Sequence, residues 1–117
     1  ALLGHALWRL GDRQRANRVL DRALAAMATL PRVRGEGYGE MDIAIHVLRG
    51  DKQLAIDALR DAIDARWRDN WWRFRYPFYD VMNDEPEWRS LVAELESDAQ
   101  AQRKRYAELA AEDAPLF

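Results

Sequence analysis

The chain has 117 residues, a formal charge of −2 from 18 Lys and Arg against 20 Asp and Glu, and 49% hydrophobic residues. That is enough for one domain with a real core. The absence of cysteine excludes disulfides and thiolate chemistry, and no apolar run approaches the ~20 residues that span a bilayer.

Ala1 to Leu10 reads as the end of a helix, with Leu3, Ala6, Leu7 and Leu10 on one side. Because the chain opens at Ala1 already inside this pattern, it is expected to be a piece of a longer protein. Gly11-Asp12 breaks the helix, and a second one is predicted from Arg13 to Leu30. Its apolar stripe is Ala16, Leu20, Ala23, Met27 and Leu30, spaced 4-3-4-3, with Arg15, Arg18 and Arg22 on the opposite side. Pro31 stops it. The following loop carries Gly35, Gly37 and Gly39, and is expected to be a hinge between hairpins. A phosphate-loop reading fails there, because no strand precedes the loop and no GK[ST] follows.

Met41 to Leu48 is predicted as a third helix with Met41, Ala44, Ile45 and Leu48 on its main face. Gly50-Asp51 turns into a fourth helix that runs to about Arg66 and is apolar over more than half its circumference. Residues 67–79 then hold seven aromatics and three arginines. Asp84-Glu85-Pro86-Glu87 is a helix start, with Asp84 as the cap and Pro86 in the first turn. The last helix is predicted from about Glu85 to Ala110. Trp88, Leu91, Val92, Leu95, Ala99, Gln102, Tyr106 and Leu109 fall on one side of it, and its more polar second half projects or meets another chain. No β pattern appears, so the fold class is all-α.

The chain uses one pattern twice. Gly11, Asp12, Ala16, Leu20 and Ala23 recur as Gly50, Asp51, Ala55, Leu59 and Ala62, an internal repeat of 39 residues. Periods of this size mark stacked helical hairpins. The small–large–small spacing predicts Ala16, Ala23, Ala55 and Ala62 at close helix crossings.

Together with Leu3-Gly4 and Leu7, these residues resemble the tetratricopeptide repeat (TPR). The resemblance implies antiparallel hairpins of about 1–30 and 38–66, closed by a cap and final helix over about 67–112. The second hairpin departs at Ile43, where the first has Gly4, and at His46, where the first has Leu7. Residues 49–95 also resemble the C-terminal end of repeat arrays in bacterial multidomain regulators, on Trp67-Arg68, Pro77, Tyr79, Met82, Pro86, Trp88 and Leu91. There the array accompanies a winged-helix, nucleotide cyclase or kinase domain. The resemblance therefore implies a regulatory module whose partner is a protein, a peptide or a neighbouring domain of the same chain. It leaves the compartment open, with the bacterial cytoplasm as the first expectation and a periplasmic face if a membrane segment lies upstream.

Residues 1–34 hold seven arginines against two acids, a net of +5, and residues 35–117 a net of −7. The basic first hairpin and the aromatic–arginine stretch offer two readings. Bases could stack on Trp and Tyr while arginines grip phosphates, the platform of a single-strand binder. Alternatively Trp67, Trp71, Phe74 and Phe78, at offsets 4, 3 and 4, cap the end of the array, since an array cannot leave its last apolar face in water. The acidic run after the stretch argues for the cap and against nucleic acid. The candidate interaction surface comprises Arg15, Arg18, Arg22, Tyr38, Trp72, Arg73 and Arg75. Partners are expected on grooves lined by the first helix of each hairpin or on the glycine loop, and a homodimer through the final helix is an option. Asp57, Asp61 and Asp64 share a helix face but lack the ligand number for a hard cation, so that row reads as a solvated face. Neither His5 nor His46 has a second ligand or a nucleophile beside it. No catalytic residue, metal site or cofactor is expected.

Overall fold

The computed structural model of the chain describes residues 2–31 and 40–113, so the glycine loop and Tyr38 lie outside the described residues. Five α-helices follow one another: α1 (Leu2–Arg9), α2 (Arg13–Ala28), α3 (Glu40–Arg49), α4 (Lys52–Asp64) and α5 (Pro86–Asp113). Two short 3-10 turns, Trp71–Arg75 and Pro77–Met82, stand between α4 and α5. Among the described residues there is no strand, and the fold is all-α. α1 pairs with α2 and α3 with α4, while α5 packs on α4 and on the first 3-10 turn.

The duplicated sequence makes a duplicated turn. Gly11 (φ 84°) and Gly50 (φ 78°) both take the left-handed conformation that ends a helix at low cost only for glycine. The amides of Gly11 and Asp12 donate to the carbonyls of Trp8 and Leu7, each at 3.1 Å. Thirty-nine residues later, those of Gly50 and Asp51 donate to Val47 and His46 at 3.1 and 2.9 Å. The two ends differ in their side-chain caps. The Asp12 carboxylate accepts from the Arg15 amide at 3.1 Å, whereas Asp51 makes no side-chain cap bond. The same bond pair closes α4, from Arg66 to Ile63 and from Trp67 to Ala62, but here Arg66 holds the left-handed position (φ 69°).

Helix crossings follow the small residues. Ala16, Ala55 and Ala62 are fully covered, but Ala23 is only half-buried: Ala62 lies in the main core that the segment after Arg66 helps to fill, whereas Ala23 lies outside it. Gly4 lies so close to α2 that a Cβ there would stand 2.5 Å from Leu20 Cδ2. Ala55→Leu is therefore expected to lower stability by about 1–3 kcal/mol through overpacking. Ala23→Leu should cost clearly less, as paired urea melts would read. Equal effects would mean that the repeat frame does not set the crossings.

The faces of α1 and α3 differ from expectation. Leu7 is buried, but Leu3 and Leu10 are exposed (58% and 82%), because α1 packs on α2 and, through His5, on Phe78, and nothing described covers the side that carries Leu3 and Leu10. On α3 the buried residues are Ile43, Ile45 and Val47, while Met41 is exposed. That helix is gripped from two sides. Ile43 and Val47 enter the main core, and Arg49 reaches α2, donating to the Asn17 carbonyl at 3.1 Å and to Asp21 at 2.8 Å.

The main core lies between α3, α4 and the segment from Trp67 to Leu95. Trp67, Trp71, Phe74, Tyr79, Met82, Trp88, Leu91 and Leu95 fill it against Ile56, Leu59 and Ile63. Rings meet at close range: Phe74 lies edge-on to Trp88 (5.3 Å) and Tyr79 (5.2 Å), and Tyr79 stacks on Trp88 at 5.8 Å. Trp67, Trp71 and Phe74 are buried as the cap reading requires, and Phe78 is partly so. The segment nevertheless folds as two 3-10 turns, broken by left-handed Asn70 (φ 53°) and by Pro77, rather than as one helix. α5 begins at Pro86, so Glu85 and not Asp84 is the last residue before it. Its apolar stripe is in use only to Ala99. From Gln100 to Glu112 every residue is exposed, Tyr106 at 75%, which draws the molecule out to 61 Å.

Candidate functional site

The sequence-predicted surface residues fall into two groups. Arg15, Arg18 and Arg22 project from α2 and are exposed, with no hydrogen bond from their side chains among the described residues. Trp72, Arg73 and Arg75 belong to the first 3-10 turn, and here the two arginines are already engaged. Arg73 donates to Glu40 at the start of α3 at 2.7 Å, and Arg75 pairs with Glu96 of α5 while lying over the Trp71 ring at 5.3 Å. The Glu40 hydrogen bond and charge raise the Arg73 pKa further. These arginines brace the cap, and Trp72 is left exposed beside them at 50%.

Sequence reading missed the residues that join the two 3-10 turns to the hairpins. His5 of α1 meets Phe78 ring to ring at 5.7 Å, and Glu40 of α3 holds Arg73. The first helix of each hairpin and the aromatic segment thus meet on one side of the molecule. Along those elements Leu3, Leu10, Met41, Trp72 and Tyr76 remain about half or more exposed. Exposure of Met41 had no signal in the sequence, since helical periodicity puts it on the main face of α3, whereas Tyr76 lies off the Trp67, Trp71, Phe74 and Phe78 spacing.

Beneath this side lies Tyr79. Burial, and then the neighbouring Glu40 carboxylate, push its phenol well above the usual value, while Arg73 pulls the other way. A folded-state pKa above the unfolded value of about 10 means that the native chain holds this proton more tightly. Its stabilising effect is complete below pH ~10 and falls away as pH rises beyond it. Tyr79→Phe should remove that alkaline loss, measured as Tm against pH with the wild type beside it.

A groove of about 360 Å³ runs between the 3-10 turns and α5, floored by Phe74, Trp88 and Val92. Its arginines are engaged, Arg75 with Glu96 and Arg89 with the Asn83 carbonyl at 2.6 Å. Asp57 takes Gln53 at 2.9 Å and Arg60 at 3.7 Å, while Asp61 and Asp64 are exposed. Among the described residues no group of three or more His, Cys, Asp or Glu is placed to hold a metal ion, and no helix is long and apolar enough to cross a membrane.

No protein-family model, no curated protein and no solved structure matches the chain. Its own surfaces must carry the functional reading.

Proposed function

We propose that the chain is a non-catalytic protein-interaction module of TPR-like type, serving as the docking or sensing part of a larger bacterial signalling or transcription-regulating protein. The observation that carries this reading is the side where α1, α3 and the 3-10 turns meet. Leu3, Leu10, Met41, Trp72 and Tyr76 stay exposed on those elements, which the His5–Phe78 and Arg73–Glu40 contacts hold together. Trp and Tyr beside a fixed arginine are the residue types that anchor protein partners. Those elements include the first helix of each hairpin, which in a TPR-like array lines the binding groove. The duplicated turn, with hydrogen bonds recurring at 39 residues, supports the array reading.

The test is selection of peptides from a random display library against the folded chain, followed by titration of the best binder. Trp72→Ala and Met41→Ser should each weaken it about thirtyfold or more, the scale of an interface hot spot. Binding indifferent to both would remove the reading.

A second reading rests on Arg15, Arg18 and Arg22, three exposed arginines along α2 that could follow a phosphate backbone. A titration of single-stranded RNA and DNA against salt separates the two. A steep loss of affinity with salt, abolished by replacing the three arginines, would favour nucleic acid. No binding at low salt would leave the protein partner.

A further inference from the structure

Set against itself at the 39-residue spacing, the chain places Arg18, Asp21 and Arg22 of α2 on the positions of Asp57, Arg60 and Asp61 of α4. All three charges are reversed. The middle residues have a use within the chain: Asp21 accepts from Arg49 of α3 at 2.8 Å, and Arg60 pairs with Glu87 of α5. Each ties its helix to the next α-helix, with opposite polarity. The outer residues have no such use. Arg18, Arg22 and Asp61 are exposed, and no hydrogen bond or ion pair joins their side chains to anything among the described residues. Asp57 meets only Gln53 and Arg60 of its own helix. Among the described residues no ion pair links α2 to α4.

We propose that the two rows form one self-complementary surface through which the chain pairs with a second copy of itself about a two-fold axis. The positive row of α2 in each copy then faces the negative row of α4 in the other. A two-fold interface needs a patch that matches its own rotated image. Two rows of opposite sign, at equivalent positions of the 39-residue repeat, supply the complementary charges for that. An acidic partner would use only the arginine row, and a basic partner only the aspartate row. A second copy uses both. The aspartate row, read from sequence as a merely solvated face, thereby acquires a counterpart. This surface is distinct from the aromatic side, so its failure would leave the peptide-binding reading standing.

Sedimentation equilibrium on the full chain tests it, with circular dichroism to check folding of each variant. At low salt the wild type should show twice the chain mass. The mass should fall twofold at about 1 M salt, where the screening length is about 3 Å. Arg18→Asp/Arg22→Asp makes both rows acidic, and Asp57→Arg/Asp61→Arg makes both basic. Each double variant should be a monomer, and an equimolar mixture should recover the doubled mass. The fourfold variant carrying all these changes should pair with itself again. A wild type that stays monomeric at low salt would overturn the proposal, as would a dimer indifferent to either double variant. A mass that climbs without limit would point to head-to-tail chains and overturn the two-fold arrangement. Loss of the dimer in Tyr106→Ser/Leu109→Ser would place pairing on the final helix instead, which also overturns it.

Discussion

Trp88→Ala should lower the free energy of unfolding by about 3–5 kcal/mol, the range for truncating a core tryptophan. Trp88 is 1% exposed in the first turn of α5, edge-on to Phe74 and stacked on Tyr79. Its removal takes away both the buried area and the ring that the other two aromatics pack against, so relaxation cannot refill the space without moving a 3-10 turn. A domain of this size has roughly 5–15 kcal/mol in total, so the variant should sit near the edge of folding. Urea denaturation followed by circular dichroism would read the loss. A value below about 1 kcal/mol would mean that the aromatic cluster is not the core that it is taken for.

Truncation after Arg66 should have a larger effect still. The main core cluster has 15 buried residues, and eight of them, from Trp67 to Leu95, follow the cut. A 1–66 fragment would expose Ile43, Val47, Ile56, Leu59 and Ile63 together, a patch of the kind that drives aggregation. It should retain helical circular dichroism while losing a cooperative melt and binding a hydrophobic dye, the behaviour of a molten state. A soluble fragment with a sharp transition would show that the segment from Trp67 onward is dispensable for folding.

Local chemistry was the legible part of this chain. The Gly-Asp turns, the covered alanines and the proline helix start depend on a few adjacent residues, and they stand where the sequence places them, within one residue at Glu85-Pro86. Burial was less legible, because it depends on neighbours that a periodic pattern does not identify. Leu3, Leu10 and Leu30 complete good stripes yet are exposed, since α1 and α2 form one end of the described stack. Ile43 and Val47 lie off the expected face of α3 because that helix serves two neighbours. In residues 67–79 the offsets identified three of the buried rings, but a left-handed Asn70 and Pro77 decided the backbone. Of the proposed surface, Trp72 and the α2 arginines are exposed as read, whereas Arg73 and Arg75 are tied to carboxylates far away in sequence. The charge reversal between repeats was present in the sequence throughout. It emerges only when the two copies are compared at their differences rather than at their matches.

The bare half of α5 has a further consequence. A helix of 28 residues rises about 42 Å, and from Gln100 to Glu112 every residue is exposed, without packing to hold it. Alone, such a stretch would be marginal in water, because the first turn of a helix is costly to form. Here the anchored turns from Trp88 to Ala99 act as a permanent nucleus, and each further residue needs only to propagate. The free arm should therefore melt from its far end inward, residue by residue, and not together with the core. Amide hydrogen exchange would record this as a gradient, slow near Leu95 and quickening steadily toward Asp113.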